Sequence, residues 1–393
     1  MSRILKESYI NSLPDPIAAN MEALNRYVVT RICKRLAQIG RLSASDAQAI
    51  KSAVEYAGAD IKAIQKELSR IMGLNEKDVE AVFEDVAAEN VDFANTYFKA
   101  RGMEELKDYT ENAALKSFVE AAKRAARDGV TNLSSTSMIG FKVGKRVVPL
   151  REYYVSIIDR AITFAQTGTV DYHTAMRQAV KEMARSGLHR VQFAPSKGFS
   201  EGYSRRLDSQ VRMNLMDGIR QLNMAMMEQT GKEFGADGVE ISVHGLCAPD
   251  HQHIQGKQYS LAEFDRLNRS LERPIGELNC HHFTTPIVLG VSKPVYSASE
   301  LREINKMSNA KVSYDTVING KKKKKTVTRY EASQGQRTRE TAIRYARDEL
   351  EALKAEGDEM GARKAKTRVS NMTAEYKRFC RDVGLTPRLE RAR

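Results

Sequence analysis

The chain has 393 residues, 63 Lys+Arg against 50 Asp+Glu for a net charge of +13, seven His, four Cys and no Trp. At 41% hydrophobic and 29% charged, with 24 Gly and 9 Pro, its composition excludes collagenous and disordered classes and suits roughly two to three ordinary cores. The positive excess is uneven: residues 1–120 carry about −3, residues 121–320 about +6, and residues 321–393 hold 21 Lys+Arg against 11 Asp+Glu.

Met1 to Pro16 is polar and predicts no secretory leader. No run approaches the roughly 18–20 apolar residues of a membrane span, so a soluble chain with no membrane contact is expected. Cys33, Cys247, Cys280 and Cys380 are too few and too scattered for a disulfide framework, which points to a reducing compartment.

After Pro14 and Pro16, the apolar positions Met21, Leu24, Val28, Ile32, Leu36 and Ile39 recur at steps of three and four and predict one face of a helix. Ser45 is suited to cap a second helix carrying Ala49, Val54, Ile61 and Ile64. Asn75, with Asp78 three residues on, predicts a new helix start before Val79, Val82 and Phe83. A helical bundle to about residue 127 follows. The pattern breaks at Asp128-Gly129, and Thr131–Ser137, Gly140, Gly144 and the run Val147-Val148 predict a loop or hairpin.

Three further helices are expected: near Tyr154–Phe164, from an Asp171 cap to Gly187, and from Leu207 to about Thr230. Gly187 suits a left-handed C-terminal cap. The stripe Val211, Leu215, Ile219, Leu222, Met226 reads as core. Val239–His244 alternates like a short strand and opens a small module rich in His, Pro and turn formers. Lys311–Ile318 and Thr326–Tyr330 flank Asn319-Gly320, a pair suited to a tight hairpin turn, and five lysines, Lys321 to Lys325, leave that turn. Ile343, Ala346, Leu350, Leu353 and then Ala365, Val369, Met372, Tyr376, Phe379 follow heptad spacing on two helices separated by Glu356-Gly357-Asp358. The whole predicts a predominantly helical α+β protein: an N-terminal helical region (1–130), a central helical region (131–234), a small α+β His/Cys module (235–300), and a basic β-hairpin plus helical hairpin (301–393).

Enzyme fingerprints are missing. Gly140 to Arg146 resembles a phosphate loop but has three residues between its glycines where four are needed, and Arg146 where Ser or Thr would hold magnesium. His-Glu-x-x-His, Gly-x-Ser-x-Gly and Gly-x-Gly-x-x-Gly are absent, which favours a protein that is not an enzyme. The one concentration of ligand-type residues lies between His244 and His282, with five of the seven His and two of the four Cys. Imidazole and thiolate are preferred ligands of Zn²⁺, and a small module gains folding free energy from such a site. His244 or Cys247, His251 or His253, then Cys280 with His281 or His282 could supply four ligands. The bland alternative is that these histidines bond backbone carbonyls in a loop-rich module. A catalytic alternative is a metal-dependent nuclease using His251, Cys280 and His282. Lys321, Lys322, Lys323, Lys324 and Lys325, with Arg337 and Arg344 on the next helix, are candidates for phosphate contact, although such runs are usually just solvated.

Tyr203 to Asn214, Val239 to His244, Pro249-Asp250-His251 with Gln255-Gly256-Lys257 and Tyr259-Ser260, Asn279-Cys280-His281-His282 with Pro286, and Tyr330 to Arg337 with Tyr376 to Phe379 occur in this order. That order resembles the minor capsid protein 2 family of tailed bacteriophages, within the Mu-F-like head morphogenesis group. The resemblance implies a structural virion component in the head near the portal vertex, passing through the host cytoplasm during assembly. Its implied partners are the portal protein or major capsid protein and packaged double-stranded DNA, with oligomers only within the virion. It implies no required cofactor; the structural zinc rests on the His/Cys cluster alone. The family pattern covers His244, Pro249, His251, Gln255, Gly256, Asn279, Cys280 and His282. It departs at Ala248, Ile254 and His281, and leaves Cys247 and His253 outside, so His244, His251, Cys280 and His282 are the implied metal ligands.

Overall fold

The computed structural model describes residues 7–39, 47–100, 102–133, 139–144, 146–167, 172–190, 205–277, 280–318 and 321–392. Its helices are α1 (Glu7–Ser12), α2 (Asp15–Ile39), α3 (Ala47–Ala100), α4 (Ala113–Leu133), α5 (Leu150–Thr167), α6 (Tyr172–Ser186), α7 (Leu207–Glu233), α8 (Leu261–Ser270), α9 (Ala298–Asn309), α10 (Arg329–Glu356) and α11 (Glu359–Val383). The strands are β1 (Ile139–Val143), β2 (Arg146–Pro149), β3 (Leu188–Arg190), β4 (Gly238–Ile241), β5 (Gln258–Ser260), β6 (Thr284–Ile287), β7 (Lys311–Ile318) and β8 (Lys321–Thr328). All strand pairs are antiparallel, in sheets ordered β2-β1-β3, β5-β4-β6 and β7-β8. The fold is predominantly helical α+β, as the periodicities predict.

The chain forms two compact units, each assembled from three separate stretches: residues 18–75, 130–211 and 335–393 in one, and 1–17, 76–129 and 212–334 in the other. In the first, the α2 stripe Met21, Leu24, Val28, Ile32 and Leu36 is fully buried, as its spacing predicts. Gly140 of β1 is required by close approach, because a Cβ there would lie 1.9 Å from the Val148 carbonyl oxygen. Asp60 gathers Arg31, Arg35 and the phenol of Tyr154. A second polar knot joins Arg206, Asp208, Asp348, Arg344 and Glu22. Helices α10 and α11 make the expected hairpin, joined through Gly357 at φ +89° and an Asp358 cap that accepts from the Gly361 amide.

In the second unit, the α7 stripe Leu215, Ile219, Leu222, Met226 is buried. Phe234 stacks on Tyr97 at a centroid distance of 5.0 Å, closing an apolar cluster with Ala94 and Phe98. Strand β4 is buried along its whole length between β5 and β6. Helices α8 and α9 each begin with a reciprocal cap, Ser260 with Glu263 and Ser297 with Glu300.

Three local expectations are corrected. Asn75 does not start a helix: α3 runs through it unbroken, and its buried carboxamide accepts from Asn20 Nδ2 at 2.9 Å instead of capping its own turn. Helix α4 continues past Asp128-Gly129 to Leu133. Lys321–Lys325 are the first five of the eight residues of β8, and Tyr330 belongs to α10, whose start is capped by Thr328 and Glu331. The Ser45 and Asp171 caps and the Asn319-Gly320 turn lie outside the described residues.

Candidate metal centre and basic hairpin

Sheet β5-β4-β6 sets up the His/Cys module. Beyond β4, the Ser242 amide donates to the Phe283 carbonyl (2.9 Å) and the Gly256 amide to the Ile241 carbonyl (2.8 Å), so the segments carrying His244, Gln255 and His282 are pinned beside one another. Residues 248–255 coil into a turn, in which the Ile254 and Gln255 amides both donate to the His251 carbonyl. The Cys280 amide donates to the Glu277 carbonyl at 2.8 Å. Ile241, Ile254, Ile275 and Cys280 form the apolar floor, with Met224, Tyr259, Phe264 and Leu267 packed against it.

Two groups of ligand-type side chains result: His251, Cys280 and His282, and His244, Cys247 and His282, with the ligand atoms in each group within 4.8 Å of one another. His282 is shared and fully buried; His251 and Cys280 are each 1% exposed. Cys280 Sγ lies 3.5 Å from both His251 Nδ1 and His282 Nδ1. On the other side of the His282 ring, Nε2 lies 3.5 Å from Cys247 Sγ and 3.3 Å from Gln255 Oε1. His244 stacks obliquely on His282, centroids 4.4 Å apart. His253 is exposed and His281 half-buried, in neither group.

Burial pushes His282 down to about 2, with the nearby His244 and His251 adding to the effect, and also lowers His251. It raises the Cys280 thiol, against the pull of the Gly276 and His282 amides on the sulfur. Neutral imidazoles are the form a metal takes.

Of the four residues implied as ligands, the structure therefore gathers His251, Cys280 and His282 into one group and gives His244 to another with Cys247. Cys247, outside the family pattern, is buried and touches His282. Nothing in its spacing distinguishes it. Gln255 and Asn305 hold the ring orientations, and only Gln255 was visible, as part of the pattern.

In the basic hairpin, β7 and β8 pair from Lys311↔Thr328 to Ile318↔Lys321. Lys321, Lys323, Lys324 and Lys325 are exposed. Alternation along the strand puts Lys321, Lys323 and Lys325 on one face at steps of about 6.6 Å. The two arginines grouped with them differ. Arg344 is bonded to Glu22 and Asp208, its side chain 16% exposed, so it serves the interior; Arg337 is half-buried.

The family model described as phage minor capsid protein 2 matches residues 5–381. No curated protein and no solved structure matches the chain.

Proposed function

The chain belongs to the phage minor capsid protein 2 family, and from that premise we propose that it is a structural component of the phage head that docks on portal or major capsid subunits and lays its β7–β8 hairpin against packaged DNA. The observation that carries the DNA contact is a single strand, β8, beginning with five consecutive lysines, of which the four with described side chains are all exposed. A row of ammonium groups on an extended strand neutralises successive phosphates without reading bases, as a component meeting DNA of every sequence requires. The acidic N-terminal third, about −3 over residues 1–120, leaves that part suited to protein contacts.

The nuclease alternative is less favoured by the geometry. His251, Cys280 and His282 are at most 1% exposed, so a phosphodiester has no direct approach to a metal held there.

Assembly, DNA-binding and cleavage measurements test the proposal. Co-expression with the portal protein of the same phage should yield a co-purifying complex, and mass spectrometry of purified virions should find the chain; absence from both overturns the structural assignment. Replacing Lys321–Lys325 with Ser should flatten the salt dependence of duplex binding by about 0.9 in log–log slope for each phosphate that is no longer neutralised. An unchanged slope removes the hairpin from the DNA interface. Plasmid cleavage with Mg²⁺, Mn²⁺ or Zn²⁺ that disappears in His251→Ala would replace this reading with the nuclease.

A further inference from the structure

We propose that His251 Nδ1, His282 Nδ1 and Cys280 Sγ bind one Zn²⁺ ion, and that Cys247 and His244 do not. The inference stands on this module alone and is independent of the head-protein reading.

The tautomers of both histidines follow from backbone groups. His251 Nε2 lies 2.8 Å from the Arg273 carbonyl, an acceptor only, so the proton sits on Nε2 and the Nδ1 lone pair faces Cys280. For His282 the chain of reasoning is longer. The Gln255 carboxamide is oriented at both ends: its Oε1 accepts from the His244 amide (3.2 Å), and its Nε2 donates to Asn305 Oδ1 (2.6 Å), while Asn305 Nδ2 donates to the Gln252 carbonyl (2.9 Å). The Gln255 atom facing His282 Nε2 is therefore an acceptor, and the ring carries its proton on Nε2. Its Nδ1 lone pair also faces Cys280.

Two imidazole lone pairs thus converge on a sulfur that carries at most one proton. A thiol can donate to one of them and leaves the other without a donor in a site closed to solvent, which is costly. One cation satisfies all three atoms. With Zn–N near 2.0–2.1 Å and Zn–S near 2.3 Å at tetrahedral angles, the nitrogen–sulfur separation is about 3.5 Å; both observed separations are 3.5 Å. Around the sulfur, the His282 amide donates at 3.4 Å and the Gly276 amide also bonds it, two N–H donors of the kind a ligating sulfur accepts. Bonds from the far ring nitrogen to a carbonyl and a carboxamide are the outer contacts that ligating histidines use. The same Gln255 excludes the competing group, because His282 Nε2 already spends its proton there and offers Cys247 no lone pair. Binding would displace the Cys280 proton and leave a fourth tetrahedral position that these three residues do not fill.

The test is elemental analysis of the full-length chain purified from zinc-supplemented medium. One zinc per chain is expected, retained in Cys247→Ser and His244→Asn and lost in Cys280→Ser, with a lower thermal midpoint. Zinc absent from the folded wild type overturns the proposal, as does zinc lost in Cys247→Ser but kept in Cys280→Ser. If Cys280→Ser does not fold, Co²⁺ loaded into the wild type decides. A thiolate-to-cobalt charge-transfer band with tetrahedral d–d intensity, kept in Cys247→Ser, supports the site, and a spectrum without that band rejects it.

Discussion

Tyr376 donates its phenolic proton to Glu340 across 2.8 Å, between the helices α10 and α11. The same oxygen accepts from Gln336 Nε2 at 3.1 Å and from the Arg388 amide at 2.8 Å, so one hydroxyl ties both helices to the segment after Gly384. Tyr376 is 1% exposed. Burial raises the Glu340 carboxyl, and the Tyr376 bond pulls it back down. Tyr376→Phe keeps the ring, takes the donor from the buried Glu340 carboxyl and removes the acceptor of the Arg388 amide, while Gln336 keeps its bond to the Thr386 carbonyl. We expect a loss of about 2–3 kcal/mol in urea unfolding, and a smaller loss when Glu340→Gln is already present, since the carboxyl is then gone.

Glu356 is set to titrate with folding. Burial, then the neighbouring Asp358, push its carboxyl up from 4.5 to about 7 against the pull of Arg177, and Oε2 has no hydrogen-bond partner. Because the folded value is the higher one, the folded protein holds a proton between about 4.5 and 7 that the unfolded chain has released. The stabilising contribution is therefore complete below 4.5 and is lost as pH rises through about 7. Glu356→Gln should be the more stable protein at pH 8, by about 1–2 kcal/mol once solvent screening of this half-buried group is allowed for. The difference should vanish below pH 4.5 in thermal unfolding followed across pH.

Asp348 Oδ2 receives Arg206 Nη1, Arg206 Nη2 and Asn25 Nδ2, each at 3.1 Å, while Arg206 also reaches Asp208. Asp348→Ala should cost about 3–5 kcal/mol, since it leaves a buried guanidinium short of a counter-charge. The apolar pair Arg206→Met with Asp348→Leu should recover much of that loss. A double variant no more stable than Asp348→Ala would mean that the remaining members of the knot need the charges.

Gly256 has φ +69°, and a Cβ there would lie 2.4 Å from Leu301 Cδ2 and 2.8 Å from Val243 Cγ2. Gly256→Ala should destabilise the β5-β4-β6 module by about 1–3 kcal/mol through both strain and overpacking. Adding Leu301→Ala relieves the contact but not the backbone, so calorimetry should show partial rescue only.

Where the sequence speaks through period and caps, it was legible. The α2 and α7 stripes are buried, and Gly187 takes the left-handed conformation that ends α6. It failed where a tertiary partner overrode a local signal. Asn75 has the chemistry of a cap, but Asn20 supplies its partner and α3 runs on. The lysines of β8 have poor strand propensity, yet pairing with Tyr314, Thr316 and Val317 of β7 draws them into the sheet. At the site, the density of His and Cys located the module. Which nitrogen faces which sulfur depends on Gln255, Asn305 and the Arg273 carbonyl, and no spacing encodes that.

The interleaving of the two units has a consequence for synthesis on the ribosome. Asn25 accepts from the Leu188 amide and donates to Asp348, so an early helix completes its bonding only with a residue translated 323 positions later. One unit draws on residues up to 334 and the other up to 393, and neither can close around a half-made chain. Nascent protein must then keep its first helices in waiting, exposed to chaperones and proteases, until translation is nearly finished. A nonsense mutation ahead of α10 should release a product that the host degrades rather than a usable shorter subunit.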